Sequence, residues 1–196
     1  MTRNLSKIMS RENRMIKGEN GEELWISRSV VVICVVARIT DDNKIEILAE
    51  KRGPLVSATG RWCFPCGYLD YDEDLTDAVI REVQEETGYT LERKDVNFID
   101  INSKPEGKKQ NVGIRHIAFI DNDKKQISDF ELDTNEVTEL KWVEIGESVS
   151  NKYSKKFIID LKKIENVGKW AFNHKSLVVY IINRYCNKNG IELYKL

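Results

Sequence analysis

The stretch that most constrains this chain runs from residue 67 to residue 89: Gly67, five residues, Glu73, seven residues, Arg81, Glu82, Val83, Gln84, Glu85, Glu86, Thr87, Gly88, Tyr89. Residues 75–87 read LTDAVIREVQEET, with Leu75, Ala78, Val79 and Val83 at helical spacing along one face. Asp74 is placed to cap the start of that helix, Asp77 suits its first turn, and Gly88 supplies the stop. On such a helix Glu82 and Glu86 stand one turn apart, separated axially by about 6 Å. Glu85 falls on the same side, within an arc of about 100°. Like charges at this spacing destabilise a helix by roughly 0.2–0.5 kcal/mol per pair, and the last turn is where its dipole disfavours anions.

Two readings of this cluster follow from spacing alone. One is three solvated acids on a surface helix, paired with nearby lysines. The other is a set of hard oxygen ligands whose repulsion a divalent cation such as Mg²⁺ removes. Metal held this way can clamp a phosphoryl group and activate an attacking water.

The rest of the chain places that helix in a mixed fold. SVVVICVVARI is β-branched and continuously apolar, as expected of a strand buried on both faces. DDNK is a turn, and IEILAEKR alternates through Ile45, Ile47 and Ala49 as the second arm of a hairpin. Trp62 and Phe64 alternate on a short strand ended by Pro65, and are expected to pack under the helix. Strands follow at 96–101, 112–120 and LKWVEI, and two helices are expected within 154–166 and 176–189. These elements indicate a mixed sheet within an α+β or α/β layered fold. The expected organisation is an N-terminal arm over 1–27, a catalytic domain over 28–149, and a C-terminal helical extension over 150–196 packed on it.

Charge and composition exclude several classes. Lys plus Arg total 31 against 32 for Asp plus Glu, a formal charge of −1, which disfavours a nucleic-acid partner. The longest apolar run, Val30 to Ala37, is too short to span a bilayer, and residues 1–23 lack the apolar core of a signal peptide, so the expected location is cytoplasmic. Four cysteines do not form a disulfide framework. Cys63 and Cys66 have CxxC spacing but no second pair, and read as ordinary thiols rather than a zinc site.

The whole array resembles the Nudix box, the loop–helix–loop signature of the Nudix hydrolases. All seven fixed polar and glycine positions are met, while the final small aliphatic is Tyr89. The resemblance extends over roughly residues 28–147 through VVVICVVARI, KRG, WCFPCGYL and EVTELKWVEI. It implies an α+β fold, an α/β/α sandwich whose Nudix-like mixed sheet carries the motif helix, and a hydrolase that cuts the pyrophosphate of a nucleoside diphosphate linked to another moiety, using Mg²⁺ or Mn²⁺. Glu82, Glu85 and Glu86 match the family's metal ligands, and Glu82 or a neighbouring acid its water-activating group. Arg81 matches the arginine that orients them, and Glu73 the acid that braces the loop.

The residue before the opening glycine, whose carbonyl commonly binds metal, is Cys66 here, where a second glycine is more usual. A downstream acid also joins the site in relatives; Glu131, Glu136 and Glu139 are candidates, Glu136 preferred. Arg52, Arg61, Tyr68 and Arg115, with Lys51 and Lys104, are candidate contacts for phosphate, ribose or base. His116 and His174 read as ordinary strand and helix residues. Pro105, sixteen residues past Tyr89, resembles a placement in ADP-ribose pyrophosphatases, favouring ADP-ribose or a nucleotide sugar. Family habit also implies a homodimer. The alternative is a catalytically silent nucleotide-binding or ligand-sensing module on the same scaffold.

Overall fold

The computed structural model describes residues 13–105, 110–120, 132, 135–151 and 154–196. Its main sheet has nine strands. Seven lie in the order β11 (Glu192–Lys195), β10 (Lys155–Ile159), β9 (Val137–Ser150), β4 (Lys44–Arg52), β3 (Val30–Ile39), β8 (Val112–Ile120), β7 (Val96–Asn102). Short β5 (Trp62–Cys63) pairs with β4, and β6 (Cys66–Tyr68) with β3. The β3–β8 and β10–β11 pairs are parallel and the rest antiparallel, so the sheet is mixed.

Helices cover both faces, which is why β3 is apolar without alternation. Val32, Cys34 and Val36 pack with Ala78, Val79 and Val83 of α1 (Leu75–Thr87). Val35 and Ala37 point the other way, to Val178, Ile181 and Ile182 of α3 (His174–Lys188) and Ile164 of α2 (Leu161–Glu165). The result is the expected α/β/α sandwich. Trp62 and Phe64 correct one expectation: both belong to the α2–α3 side, with Phe64 against Trp170 and His174, and not to the face under α1.

The segment 154–166 corrects another. It opens as β10, with Phe157 and Ile159 buried in strand alternation, and becomes helix only after Asp160 accepts from the Lys162 amide. Three consecutive apolar residues, Phe157 to Ile159, fit either period, and hydrogen bonds to the edge of β9 decide for the strand. The second expected helix is present as α3.

Of the N-terminal arm, β1 (Arg14–Lys17) and β2 (Glu23–Ile26) form a two-stranded hairpin of their own. Residues 1–12 lie outside the described residues. Among the described residues no helix is long and apolar enough to cross a membrane.

Candidate active site

The site is built where β6 delivers the chain into α1. Gly67 pairs with Val32 of β3, and the loop that follows ends at Asp74, whose carboxylate accepts from the Thr76 and Asp77 amides. Gly88 ends the helix at φ 71°, its amide bonded to the Gln84 carbonyl. These caps fix the two ends of α1, and packing of Ala78, Val79 and Val83 against the sheet buries Glu86 and Thr87 beside them.

Arg81 is the hub. Its Nε and Nη2 donate to the two oxygens of Glu73 at 3.0 and 2.7 Å, and Nη2 also reaches the Tyr68 carbonyl at 2.9 Å. Nη1 donates to Glu82 Oε1 at 2.7 Å and Glu85 Oε2 at 3.0 Å. Glu73 in turn accepts from the Asp70 amide at 2.8 Å, tying the loop to the helix. The Arg81 guanidinium holds the Glu73 carboxyl below the usual carboxylate range, and Glu73 and Glu82 hold the guanidinium proton still more firmly. Planar, five-donor geometry is what lets one residue serve three carboxylates and a carbonyl.

Beneath this hub lie carboxylates that Arg81 does not reach. Glu86 is 7% exposed and accepts from the Cys66 amide at 2.7 Å. Glu50, on β4, is 1% exposed; its Oε1 accepts from Cys63 Sγ at 3.0 Å, and its Oε2 is buried with no hydrogen-bond partner. Burial first, and then the charge of Glu50, pushes the Glu86 carboxyl well up. Burial likewise raises Glu50, against the pull of Cys63 and Arg52. Glu82 is raised by burial despite Arg81. The backbone closes on this cluster: a Cβ at Gly67 would stand 2.1 Å from the Glu82 carboxylate.

Glu50 escaped the sequence reading. Alternation through Ile45, Ile47 and Ala49 leaves Leu48, Glu50 and Arg52 on the other face of β4, which a one-sided sheet would leave in water. Here α1 covers that face, so Glu50 is buried opposite Cys63. The available signal was the two-sided burial of the neighbouring strand β3.

The remaining candidates divide. Glu136 is exposed in the turn before β9, and its carbonyl accepts from the Gly53 amide at 2.6 Å. Glu139 is taken by Lys51 at 3.1 Å, and Glu131 lies outside the described residues. Cys66, Gly67 and Tyr68 line a cavity of about 530 Å³ together with Arg52, Lys104 and Asn102. Arg52 is turned inward, donating to the Ser57 carbonyl at 2.5 Å. Arg115 faces an adjoining cavity of about 460 Å³ and is paired with Asp100 at 3.4 Å. Arg61 is exposed and lines neither cavity. His174 is more than a helix residue: it is buried, accepts from the Phe64 amide through Nδ1 at 3.1 Å, and so ties α3 to the strand before the motif.

As arranged, no group of three or more His, Cys, Asp or Glu among the described residues stands ready to hold a metal ion. Arg81 occupies Glu82 and Glu85, and the Cys66 amide occupies Glu86. The donor chemistry nevertheless fits a hard cation: buried carboxylate oxygens, one of them without a partner, are the groups a divalent ion satisfies.

The sequence model of the NUDIX domain matches residues 28–161. A curated Caenorhabditis elegans relative, provisionally named nudix hydrolase 1, is 36% identical over 52 residues, 26% of this chain and 13% of that protein. The chain therefore spans only a small part of that relative's length. Among solved structures, a MutT/nudix family protein from Enterococcus faecalis superposes with a TM-score of 0.63 at 20% identity, over 84% of this chain and 64% of that one. The NUDIX domain of Shewanella oneidensis NrtR, solved with ADP-ribose, superposes with a TM-score of 0.58 at 17% identity, over 83% and 89%. At these identities the likeness is one of fold.

Proposed function

Because the chain belongs to the NUDIX domain family, we propose that it is a metal-dependent hydrolase cleaving the pyrophosphate linkage of a nucleoside diphosphate joined to a second moiety. The observation that carries this reading is the carboxylate cluster around α1, with Arg81 bonded to Glu73, Glu82 and Glu85 above the buried pair Glu50 and Glu86. Burying that much like charge is costly, and a divalent cation offsets the cost.

Glu82, Glu85 and Glu86 would hold Mg²⁺ or Mn²⁺, with the Cys66 carbonyl and Glu50 as further oxygen donors. When bound, such an ion neutralises phosphoryl charge and makes water a competent nucleophile. The chain's own residues do the rest. Glu73 locks Arg81, and Arg81 fixes the direction in which Glu82 and Glu85 point. Glu82 Oε2, on a carboxyl whose proton affinity burial has raised, suits taking a proton from the attacking water. The cavity bounded by Cys66, Gly67 and Tyr68 holds the diphosphate against this cluster, with Lys104 and Arg52 on its rim. Glu136, exposed in the turn before β9, would be the downstream acid.

ADP-ribose is the first substrate to try: Pro105 follows the Asn102–Lys104 edge of the cavity, and the NrtR domain of the same fold was solved with that compound. Phosphorus NMR of the reaction in heavy-oxygen water, over ADP-ribose, nucleotide sugars and dinucleotides with Mg²⁺, tests the reaction type. Two phosphomonoesters are expected, one carrying the heavy oxygen. Binding of these compounds without turnover would instead favour a ligand-sensing module.

A further inference from the structure

The two cavities share a wall: Ile33, Asn102, Gly113, Phe172, Asn173 and His174 line both. One end of the combined cleft reaches Gly67 and Tyr68, beside the carboxylates, and the other reaches Arg115 and Tyr180. The sheet supplies Ile33, Asn102 and Gly113 of this wall, and the segment that leads into α3 supplies Phe172, Asn173 and His174; the backbone of that segment is unusual. Phe172 and Asn173 sit at φ 51° and 63°, two consecutive residues with side chains in the left-handed region. Asn tolerates that region, but it is sterically unfavourable for Phe172, so the surrounding structure imposes it there.

The effect of this turn is local. Ala171 and His174 are buried at 0% and 2%, while Phe172 between them is 53% exposed. An exposed aromatic ring is usually mobile, but this one is held. The Arg52 guanidinium lies 5.0 Å from its centroid, and the His174 ring meets it edge-on at 5.6 Å. Both supports are themselves fixed: Arg52 by the Ser57 carbonyl, His174 by the Phe64 amide and by stacking on the Phe64 ring at 5.3 Å. The strained turn thus holds a flat apolar surface, exposed to solvent, on a cleft that reaches the backbone of Gly67.

We propose that Phe172 is the platform on which the aromatic base of the substrate stacks, so that the segment entering α3 selects base-containing substrates. This rests on the pyrophosphohydrolase reading for the rest of the substrate. A preorganised ring loses little freedom on binding, and stacking of a base on an aromatic side chain is sequence-tolerant because every base has a π-face.

Wild type, Phe172→Ala, Phe172→Leu and Phe172→Tyr are compared by calorimetric binding of ADP and of inorganic pyrophosphate, and by steady-state hydrolysis of ADP-ribose. Thermal melting establishes that each variant is folded. Ala and Leu are expected to weaken ADP binding about tenfold and raise KM by a similar factor, with kcat within about twofold, and Tyr to behave as wild type. Pyrophosphate binding should not change. ADP binding unaffected by Ala, an equal loss of pyrophosphate binding, or no binding of ADP by wild type would overturn the proposal. Loss of ADP binding in Ala and Leu, alongside a wild type that hydrolyses nothing, would uphold the platform while removing the hydrolase reading.

Discussion

The Glu82 carboxylate rests directly on the backbone of Gly67. A methyl group added at residue 67 would lie 2.1 Å from Glu82 Cδ and from both its oxygens. Glycine is therefore required here for proximity: the strand must pass close enough for the Glu82 side chain to lie flat over it while Arg81 holds one of its oxygens.

Gly67→Ala is accordingly expected to displace Glu82 while leaving β6 in the sheet. A displacement of about 1 Å at a reacting group costs on the order of a hundredfold in rate. Steady-state kinetics should show kcat lowered by that order, with little change in the circular dichroism of the folded protein. Wild-type kcat in this variant would mean that Glu82 does not work from its present position.

Arg81→Lys tests the hub. A lysine ammonium cannot reproduce five hydrogen bonds that spread from one planar group to Glu73, Glu82, Glu85 and the Tyr68 carbonyl. Partial loss of this network is expected to cost about 1–3 kcal/mol in denaturant unfolding. The loss of activity should exceed that of stability, because Glu82 and Glu85 lose their direction.

Glu86→Gln should stabilise the metal-free protein. The native Glu86 carboxyl binds its proton more tightly than the unfolded one, because burial and Glu50 disfavour its charge. Its contribution to stability is therefore present at low pH and lost as pH rises through the raised native value. In chelator at pH 8 the variant is expected to melt above wild type, by roughly 2–4 °C for each kcal/mol recovered, with the gap closing toward pH 5. Added Mg²⁺ should raise the wild-type melting temperature and leave the variant's nearly unchanged.

His174 gives the opposite pH signature. Burial, with Arg52 and Arg115 adding positive charge, pushes its imidazole down to about 3 from 6.5. Between those values the unfolded state binds the proton and the native state does not, so stability is full above 6.5 and declines as pH falls toward 3. His174→Gln keeps an acceptor for the Phe64 amide and removes the titration. Wild type should lose on the order of 4 kcal/mol relative to this variant on going from pH 7 to pH 3, measured by denaturant unfolding.

The motif helix was legible from local chemistry, since Asp74 and Gly88 carry its ends and Val83 its buried stripe. So was the central strand, because a run without polar alternation must be covered twice. The grouping of Glu82, Glu85 and Glu86 was legible from helical spacing, and the link from Arg81 to the cluster from the resemblance to the motif, but the Arg81–Glu73 pair that ties the loop to the helix was not. Glu50 was not, because its burial depends on α1 crossing the second face of β4, a tertiary fact. Nor was the role of Phe157 to Ile159, which pairing with β9 and β11 turns into strand. Phe172 was not legible either: Asn173 is a residue type that tolerates the left-handed region, but nothing in WAFNH announces a phenylalanine held there beside it.

The role proposed for the carboxylates around α1 is to hold a divalent cation for pyrophosphate hydrolysis. Its most direct test is the initial rate of ADP-ribose hydrolysis against free Mg²⁺, for wild type and Glu86→Gln, with chelator as the zero point. Wild type is expected to show a saturating metal dependence and no turnover in chelator, with kcat at least about a hundredfold lower in the variant. Undiminished turnover in chelator, or equal turnover in wild type and Glu86→Gln, would contradict it.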